Sequence, residues 1–198
     1  ASLSRRAASE EQRPFLHALS DEVERLETIV ESFLRFARPR PSRPVEPLEL
    51  ATAVRATFER LGREGLELQP ELRLPAGITA RIPRELFEEA IENIVRNSHD
   101  AAGGVLRLSV DLMSDGAAGV ARLSFRDFGP GFPAEIVAAG SPRPFFTTKK
   151  GGTGLGLPLV QKIVENHRGG LSLANHPEGG ALVTVELPLG ERTPIEDA

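Results

Sequence analysis

Between positions 16 and 37 the residues Leu16, Leu19, Val23, Leu26, Val30, Phe33 and Ala37 follow one another at intervals of three and four. This is a heptad seam, and a period near 3.5 residues implies left-handed packing of one helix against others. Asp21, Glu22, Glu24, Arg25, Glu27, Glu31 and Arg35 flank the seam with charge. A single helix cannot bury such a seam on itself. The stretch from Glu10 to Ala37 therefore predicts one helix of a bundle whose other members come from another chain; the alternative is a helix lying on its own domain. Pro14 belongs near the helix start, where a missing N–H costs least.

The seam cannot continue past Pro39, because Pro39, Pro41, Pro44 and Pro47 put four prolines into nine residues. Such a run favours an extended, semi-rigid connection. The expected organisation is an incomplete bundle domain over 1–38, a linker over 39–47, a second domain over 48–190 and a tail over 191–198.

At 198 residues with 40% hydrophobic content, the chain can bury a real core beyond the bundle helix. Its formal net charge of −4 offers no basic field for a nucleic acid. The absence of cysteine excludes disulfides and thiolate metal sites and fits a reducing compartment. No apolar run approaches the roughly 18 residues of a membrane span. The expectation is a cytoplasmic fragment without membrane contact of its own, whose parent protein could be anchored upstream.

The second domain alternates helical and strand patterns. Leu50–Leu61 reads as a helix, Leu66–Leu74 and Ile78–Ile82 as strands. Pro83–Ala102 reads as a long amphipathic helix stopped by Gly103 and Gly104. Val105–Leu112 and Val120–Phe125 alternate as strands around an Asp115-Gly116 turn. A glycine- and proline-rich stretch runs from Asp127 to Gly154, too long for a mere connection and suggestive of a functional lid. Leu155–His167 is helical, and Leu171–Ala174 and Ala181–Leu187 are strands joined by a turn at Pro177–Gly180. Strands pairing mostly as sequence neighbours, with helices on one face, give an α+β fold, a two-layer α/β sandwich.

Three clusters carry chemistry. Asn93 and Asn97 lie four apart on the long helix, with Glu89 one turn earlier, so the three share a face. Amide carbonyls there suit a hard cation such as Mg²⁺, which takes oxygen ligands and is shared with substrate phosphates; helix-surface polarity is the alternative. In Asp127-Phe-Gly-Pro-Gly-Phe132 an acid ends a strand before two glycines, suited to accepting from an exocyclic amine, or simply a common turn. Gly151-Gly-Thr-Gly-Leu-Gly-Leu157 opens a helix, where exposed N–H groups form an anion site. It lacks the Lys-Ser/Thr of a P-loop and the spacing of a dinucleotide fingerprint. Lys149 and Lys150, in Pro144-Phe-Phe-Thr-Thr-Lys-Lys150, could meet phosphate charge, while Phe145 and Phe146 could pin the loop.

In this order the clusters resemble the GHKL ATPase superfamily and, within it, the sensor histidine kinases of two-component systems. Asn93-Ile-Val-Arg-Asn97 is similar to the N box, Asp127–Gly131 to the first glycine box, Pro144–Lys149 to the F box and Gly152–Gly156 to the second glycine box. Arg96-Asn97 and the Thr-Thr-Lys stretch lean toward the nitrogen-sensor-like branch. The resemblance implies ATP and Mg²⁺ as cofactors and Asn97 as metal ligand. It implies Asn93 as support for metal or phosphates, and Asp127 as the adenine-reading acid in a pocket shaped by Gly129 and Gly131. Gly152, Thr153, Gly154, Leu155 and Gly156 frame the phosphates. Arg96, Thr148 and Lys149 are further ATP contacts, and Glu89 is a candidate for proton or water handling. The heptad helix resembles the second helix of a dimerisation and phosphotransfer hairpin, implying a homodimer through a four-helix bundle and a response-regulator receiver domain as partner.

An acceptor histidine on a hairpin helix is missing: of His17, His99, His167 and His176 only His99 precedes an acid, Asp100, and it stands on the helix of the N box, where it could face the nucleotide or solvent. His17 reads as a bundle residue, His167 as a structural residue before the double glycine, His176 as a turn residue. The acceptor helix is therefore expected outside this chain. The function expected is γ-phosphoryl transfer from ATP to a histidine on that hairpin. The alternatives are an ATP-binding and dimerising module without autokinase activity, or another GHKL ATPase, such as an anti-sigma serine kinase or an ATP-driven clamp; a clamp would usually carry Glu where Asn93 stands.

Overall fold

The computed structural model of the chain describes residues 16, 19, 22, 23, 26, 30, 33 and 34, then 46–147 and 152–190. The tail over 191–198, most of the linker over 39–47, His17, Thr148, Lys149, Lys150 and Gly151 lie outside the described residues. The eight early residues are all helical and exposed. They include six members of the seam, Leu16, Leu19, Val23, Leu26, Val30 and Phe33, each 47–54% exposed.

The globular part opens with β1 (Leu48–Glu49), which runs directly into helix α1 (Leu50–Arg63). Glu49 caps α1, its carboxylate accepting from the Thr52 N–H at 2.6 Å and from the Gly77 N–H at 3.2 Å. Burial raises the Glu49 pKa, but the bonds from Thr52 and Gly77 outweigh that and hold it below the usual carboxylate range. Helix α1 buries Leu50, Ala53, Val54, Phe58 and Leu61. Strand β2 spans Leu68–Arg73, and β3 is only Thr79–Ala80, paired antiparallel with β1. The longer strand expected over Ile78–Ile82 stops early because the chain bends at Arg81, with the Ile82 N–H turned back to the Ala80 carbonyl, and Pro83 then starts a helix.

Helix α2 (Arg84–Ala102) buries Phe87, Ala90, Ile91, Ile94, Val95 and Ser98 along one stripe. Its end is set by Gly103, in the left-handed region at φ 66°, whose N–H bonds the His99 carbonyl. Strands β4 (Leu106–Asp115) and β5 (Val120–Asp127) form a hairpin. A short helix α3 (Ala134–Ala139) interrupts the stretch expected to be loop. Helix α4 (Gly156–Asn166) and the hairpin β6 (Gly170–Asn175) and β7 (Ala181–Pro188) complete the fold.

The main sheet has the order β2-β4-β5-β7-β6. Only β4–β5 and β6–β7 pair as sequence neighbours. Strand β2 runs parallel to β4, so α2 must lie in the crossover between them, and this corrects the expectation of mostly neighbouring pairs. Alternate residues Leu106, Leu108, Val110 and Leu112 of β4 and Ala121, Leu123 and Phe125 of β5 join the helix stripes in one core. The other face is polar: Arg73 meets Asp111 at 3.0 Å and Arg122 meets Glu186 at 2.7 Å. One face buried and one solvated makes the α+β two-layer architecture expected from the sequence.

Candidate functional site

The open edge of these layers holds a cavity of about 380 Å³, between α2, the end of β5, α3 and the start of α4. That volume falls within the roughly 300–1,000 Å³ of small-molecule sites. Helix α2 supplies one wall because Asn93, Arg96, Asn97 and Asp100 recur at intervals of three and four opposite its buried stripe. The Asn93 Nδ2 donates to the Glu89 carbonyl at 2.8 Å, which commits the amide donor to the helix. Its Oδ1 lies 3.2 Å from where a Cβ on Gly156 would stand, so a glycine at that position lets α4 come close to α2.

Asp127, the last residue of β5, is 5% exposed. Its Oδ1 accepts from the Gly129 N–H at 3.0 Å and the Ala181 N–H at 2.8 Å. Among the described residues Oδ2 has no partner, and Asp127 lines the cavity. Ile136, Leu173 and Ala181 surround it with apolar wall. A single acceptor oxygen in an apolar recess suits a flat, apolar group carrying one N–H donor.

Gly131 at φ 81° turns the loop after β5. A Cβ there would lie 2.7 Å from the Asn175 Oδ1. Asn175 clamps the next residue at both backbone groups, accepting from the Phe132 N–H at 2.7 Å and donating to its carbonyl at 2.9 Å. Nothing in the sequence clusters pointed to Asn175, because it lies on β6, outside every glycine motif.

The second glycine-rich segment is fixed against the Phe145-Phe146 pair. Gly154, at φ 66°, accepts from the Phe145 N–H at 3.1 Å. A Cβ on Gly154 would come within 2.6 Å of the Phe145 backbone. Phe145 itself has φ 64°, an uncommon conformation for a bulky residue. Phe146 packs on the core. The Thr153 Oγ1 accepts from the Leu155 N–H at 3.3 Å, and Gly156, Leu157 and Pro158 present the first turn of α4 to the cavity. Helix N-termini leave N–H groups unsatisfied, so this turn can receive an anion.

Of the residues singled out in the sequence, Asn93, Arg96, Asn97, Asp127, Gly131, Gly152, Thr153, Gly154 and Gly156 line this one cavity. Glu89, Gly129 and Leu155 are not on its wall. Glu89 offers its backbone carbonyl to Asn93, Gly129 shapes the Asp127 carboxylate, and Leu155 is buried. Thr148 and Lys149 lie outside the described residues. Wall residues that no motif announced include Asp100, Ile136, Arg143, Leu173 and Ala181. Their signal is tertiary.

Arg96 is embedded in an ion cluster joining α1 to α2. Its Nε donates to Glu92 and its Nη2 to Glu64, both at 2.7 Å, while Arg60 reaches Glu64 at 2.9 Å and Glu92 at 2.8 Å. Burial raises the Glu92 pKa, but the bonds from Arg96 and Arg60 outweigh it and hold the carboxyl below its ordinary range. The Glu92 hydrogen bond raises Arg60 in turn. Two histidines take structural positions: the His167 Nδ1 lies 2.7 Å from the Ile163 carbonyl, and the His176 Nδ1 accepts from the Glu178 N–H in the β6–β7 turn.

Among the described residues no three His, Cys, Asp or Glu side chains come together as a metal site. The oxygen donors that α2 brings to the cavity wall are the amide carbonyls of Asn93 and Asn97 and the carboxylate of Asp100. A donor set this sparse fits a cation that keeps waters and completes its shell on a ligand's phosphates.

The model of the family described as "Histidine kinase-, DNA gyrase B-, and HSP90-like ATPase" matches residues 79–191. The nitrogen regulation protein NtrY of Azorhizobium caulinodans is 31% identical over 172 residues, 80% of this chain and 21% of that protein. The sensor protein kinase FleS of Pseudomonas aeruginosa is 35% identical over 191 residues, 94% of this chain and 46% of that protein. The solved mycobacterial sensor histidine kinase MprB superimposes with a TM-score of 0.64 at 23% identity, covering 73% of this chain and 97% of that one. The chain thus spans less than half the length of these two curated relatives.

Proposed function

Because the chain belongs to the family of histidine kinase-, DNA gyrase B- and HSP90-like ATPases, we propose that it is the ATP-binding catalytic part of a two-component sensor histidine kinase. The observation that carries this reading is the polarity of the cavity. A buried carboxylate with one committed and one open oxygen stands on its wall among apolar side chains, and so do paired asparagines and a helix N-terminus. An adenine fits the first, its exocyclic amine donating to the Asp127 Oδ2. A polyphosphate fits the second, against the N–H groups of Gly154, Gly156 and Leu157.

Asn97, supported by Asn93, would hold Mg²⁺, which supplies neutralisation of polyphosphate charge. The chain's own residues orient the nucleotide and shield its phosphates from water. In the transfer, a histidine ring nitrogen forms a bond to the γ-phosphorus while the bond to the β–γ bridging oxygen breaks, and ADP leaves. That histidine belongs to a hairpin helix from outside this chain. Glu89 stays a candidate for proton handling, although its carboxylate is off the cavity wall.

The exposed seam of the early helix supports a homodimer through a four-helix bundle, and a response-regulator receiver domain is the onward phosphoryl acceptor. Among the described residues no helix is long and apolar enough to cross a membrane.

The test is incubation with Mg²⁺ and γ-labelled ATP, with and without a hairpin carrying an acceptor histidine followed by an acid. Label on the hairpin that vanishes with Asn97→Ala supports the kinase reading. Bound ATP without label leaves a nucleotide-binding, dimerising module.

A further inference from the structure

The family resemblance implies Arg96 as an ATP contact, and for the phosphates the geometry points elsewhere. Two nitrogens of Arg96 are committed to Glu92 and Glu64, and these acids are shared with Arg60. Two guanidiniums and two carboxylates cancel, so this cluster presents little net positive charge to an anion.

Arg143, in the loop after α3, lines the same cavity. Its side chain is exposed and, among the described residues, makes no ion pair or hydrogen bond. Its backbone, in contrast, is fixed. The Arg143 carbonyl accepts from the Phe146 N–H at 3.2 Å, and the Phe145 N–H inside that turn is bonded to Gly154. The turn, with Phe145 in its unusual left-handed conformation, approaches position 154 so closely that a Cβ there would meet the backbone of Phe145 and Phe146. The turn bearing Arg143 is thereby fastened to the Gly152–Gly156 segment that leads into the N-terminus of α4. A guanidinium with unspent donors, carried on a pre-positioned turn, has the chemistry to bind phosphate oxygens two at a time.

We propose that Arg143 is a phosphate-binding residue of this site, reading the polyphosphate tail of the nucleotide and not its base. The proposal rests on the nucleotide reading given above. It assigns to Arg143 the role that the resemblance implies for Arg96, and it makes the residue a determinant of preference for a triphosphate over shorter tails.

The experiment is titration of ATP, ADP and adenosine, with Mg²⁺, into the wild-type chain and its Arg143→Ala and Arg96→Ala variants by calorimetry, with thermal melts to show that each remains folded. Loss of one charge-assisted, forked contact weakens binding by roughly 10- to 100-fold. Arg143→Ala is expected to lose that much for ATP, less for ADP and nothing for adenosine, and to lose more ATP affinity than Arg96→Ala. Unchanged ATP binding in Arg143→Ala, an equal loss for ATP and adenosine, or a larger loss in Arg96→Ala overturns the assignment while leaving the nucleotide site intact. A wild-type chain that binds none of the three overturns the nucleotide reading itself, and the role of Arg143 with it.

Discussion

Gly180, in the β6–β7 turn, rests directly on the backbone carbonyl of Asp127, so that any Cβ at position 180 would collide with that oxygen. The neighbouring amide of Ala181 donates to the Asp127 carboxylate. The turn therefore fixes the acid from two directions.

Gly179 gives a control for this contact, because it shares the positive φ, 94° against 90°, but has open space where a Cβ would go. Gly179→Ala should cost only backbone strain, about 1–3 kcal/mol. Gly180→Ala should cost about 1–3 kcal/mol more from the clash and should also displace Asp127, weakening nucleotide binding. Urea melts and ATP titrations on both variants check this; equal effects would remove the turn from the site.

Asp127→Asn tests the division of labour within one carboxylate. An asparagine keeps an oxygen for the Gly129 and Ala181 N–H groups but turns an NH₂ toward the cavity, where it meets a donor with a donor. The fold should survive with a small loss of stability, while affinity for adenine nucleotides falls by about 100-fold or more, since an unpaired buried polar group costs roughly 1–3 kcal/mol on each side. Calorimetric titration with adenosine reads the effect without any phosphate contribution.

Asn175→Ala removes both bonds to Phe132. Two hydrogen bonds of ordinary net worth amount to about 1–3 kcal/mol together. Much of the effect should be local. Hydrogen exchange at the Phe132 amide should accelerate well before that of β4 and β5, and a variant in which it exchanges at the wild-type rate would show the clamp to be idle.

The Glu92 cluster predicts a pH dependence with a definite sign. The folded-state pKa of Glu92 lies below its unfolded value, about 4.3 for a free glutamate. Its contribution is therefore complete above that value and is lost as the pH falls through the folded pKa. Glu92→Gln should be less stable than wild type at neutral pH, and the difference should shrink on acidification below about pH 4.3 and vanish at lower pH. Denaturant melts across that range decide it; a difference that grows on acidification would contradict the assignment.

The sequence was most legible where a local rule acts alone. The α2 helix ends at Ala102 because Gly103 can take the left-handed cap, and the wall residues Asn93 and Asn97 share a face by helical period. The short α3 was hidden inside a glycine-rich stretch, although Pro133 before it and Gly140 after it are ordinary start and stop signals. The β1–β3 pair could not be read, since two residues carry no periodicity. The parallel neighbour β4 for β2 is a choice made by the packing of α2. For the same reason Ile136, Leu173 and Arg143 gave no warning: each becomes part of a site only through what the tertiary fold sets beside it.

The half-exposed apolar residues of the early helix carry a consequence for every measurement named above. Their transfer out of water is still available, and it is released only when a second surface covers them. Any free energy gained in that way depends on the number of chains per litre as well as on temperature. With the proposed homodimer, melting temperatures taken at two dilutions are therefore two different quantities, and comparisons among variants are meaningful at matched protein concentration.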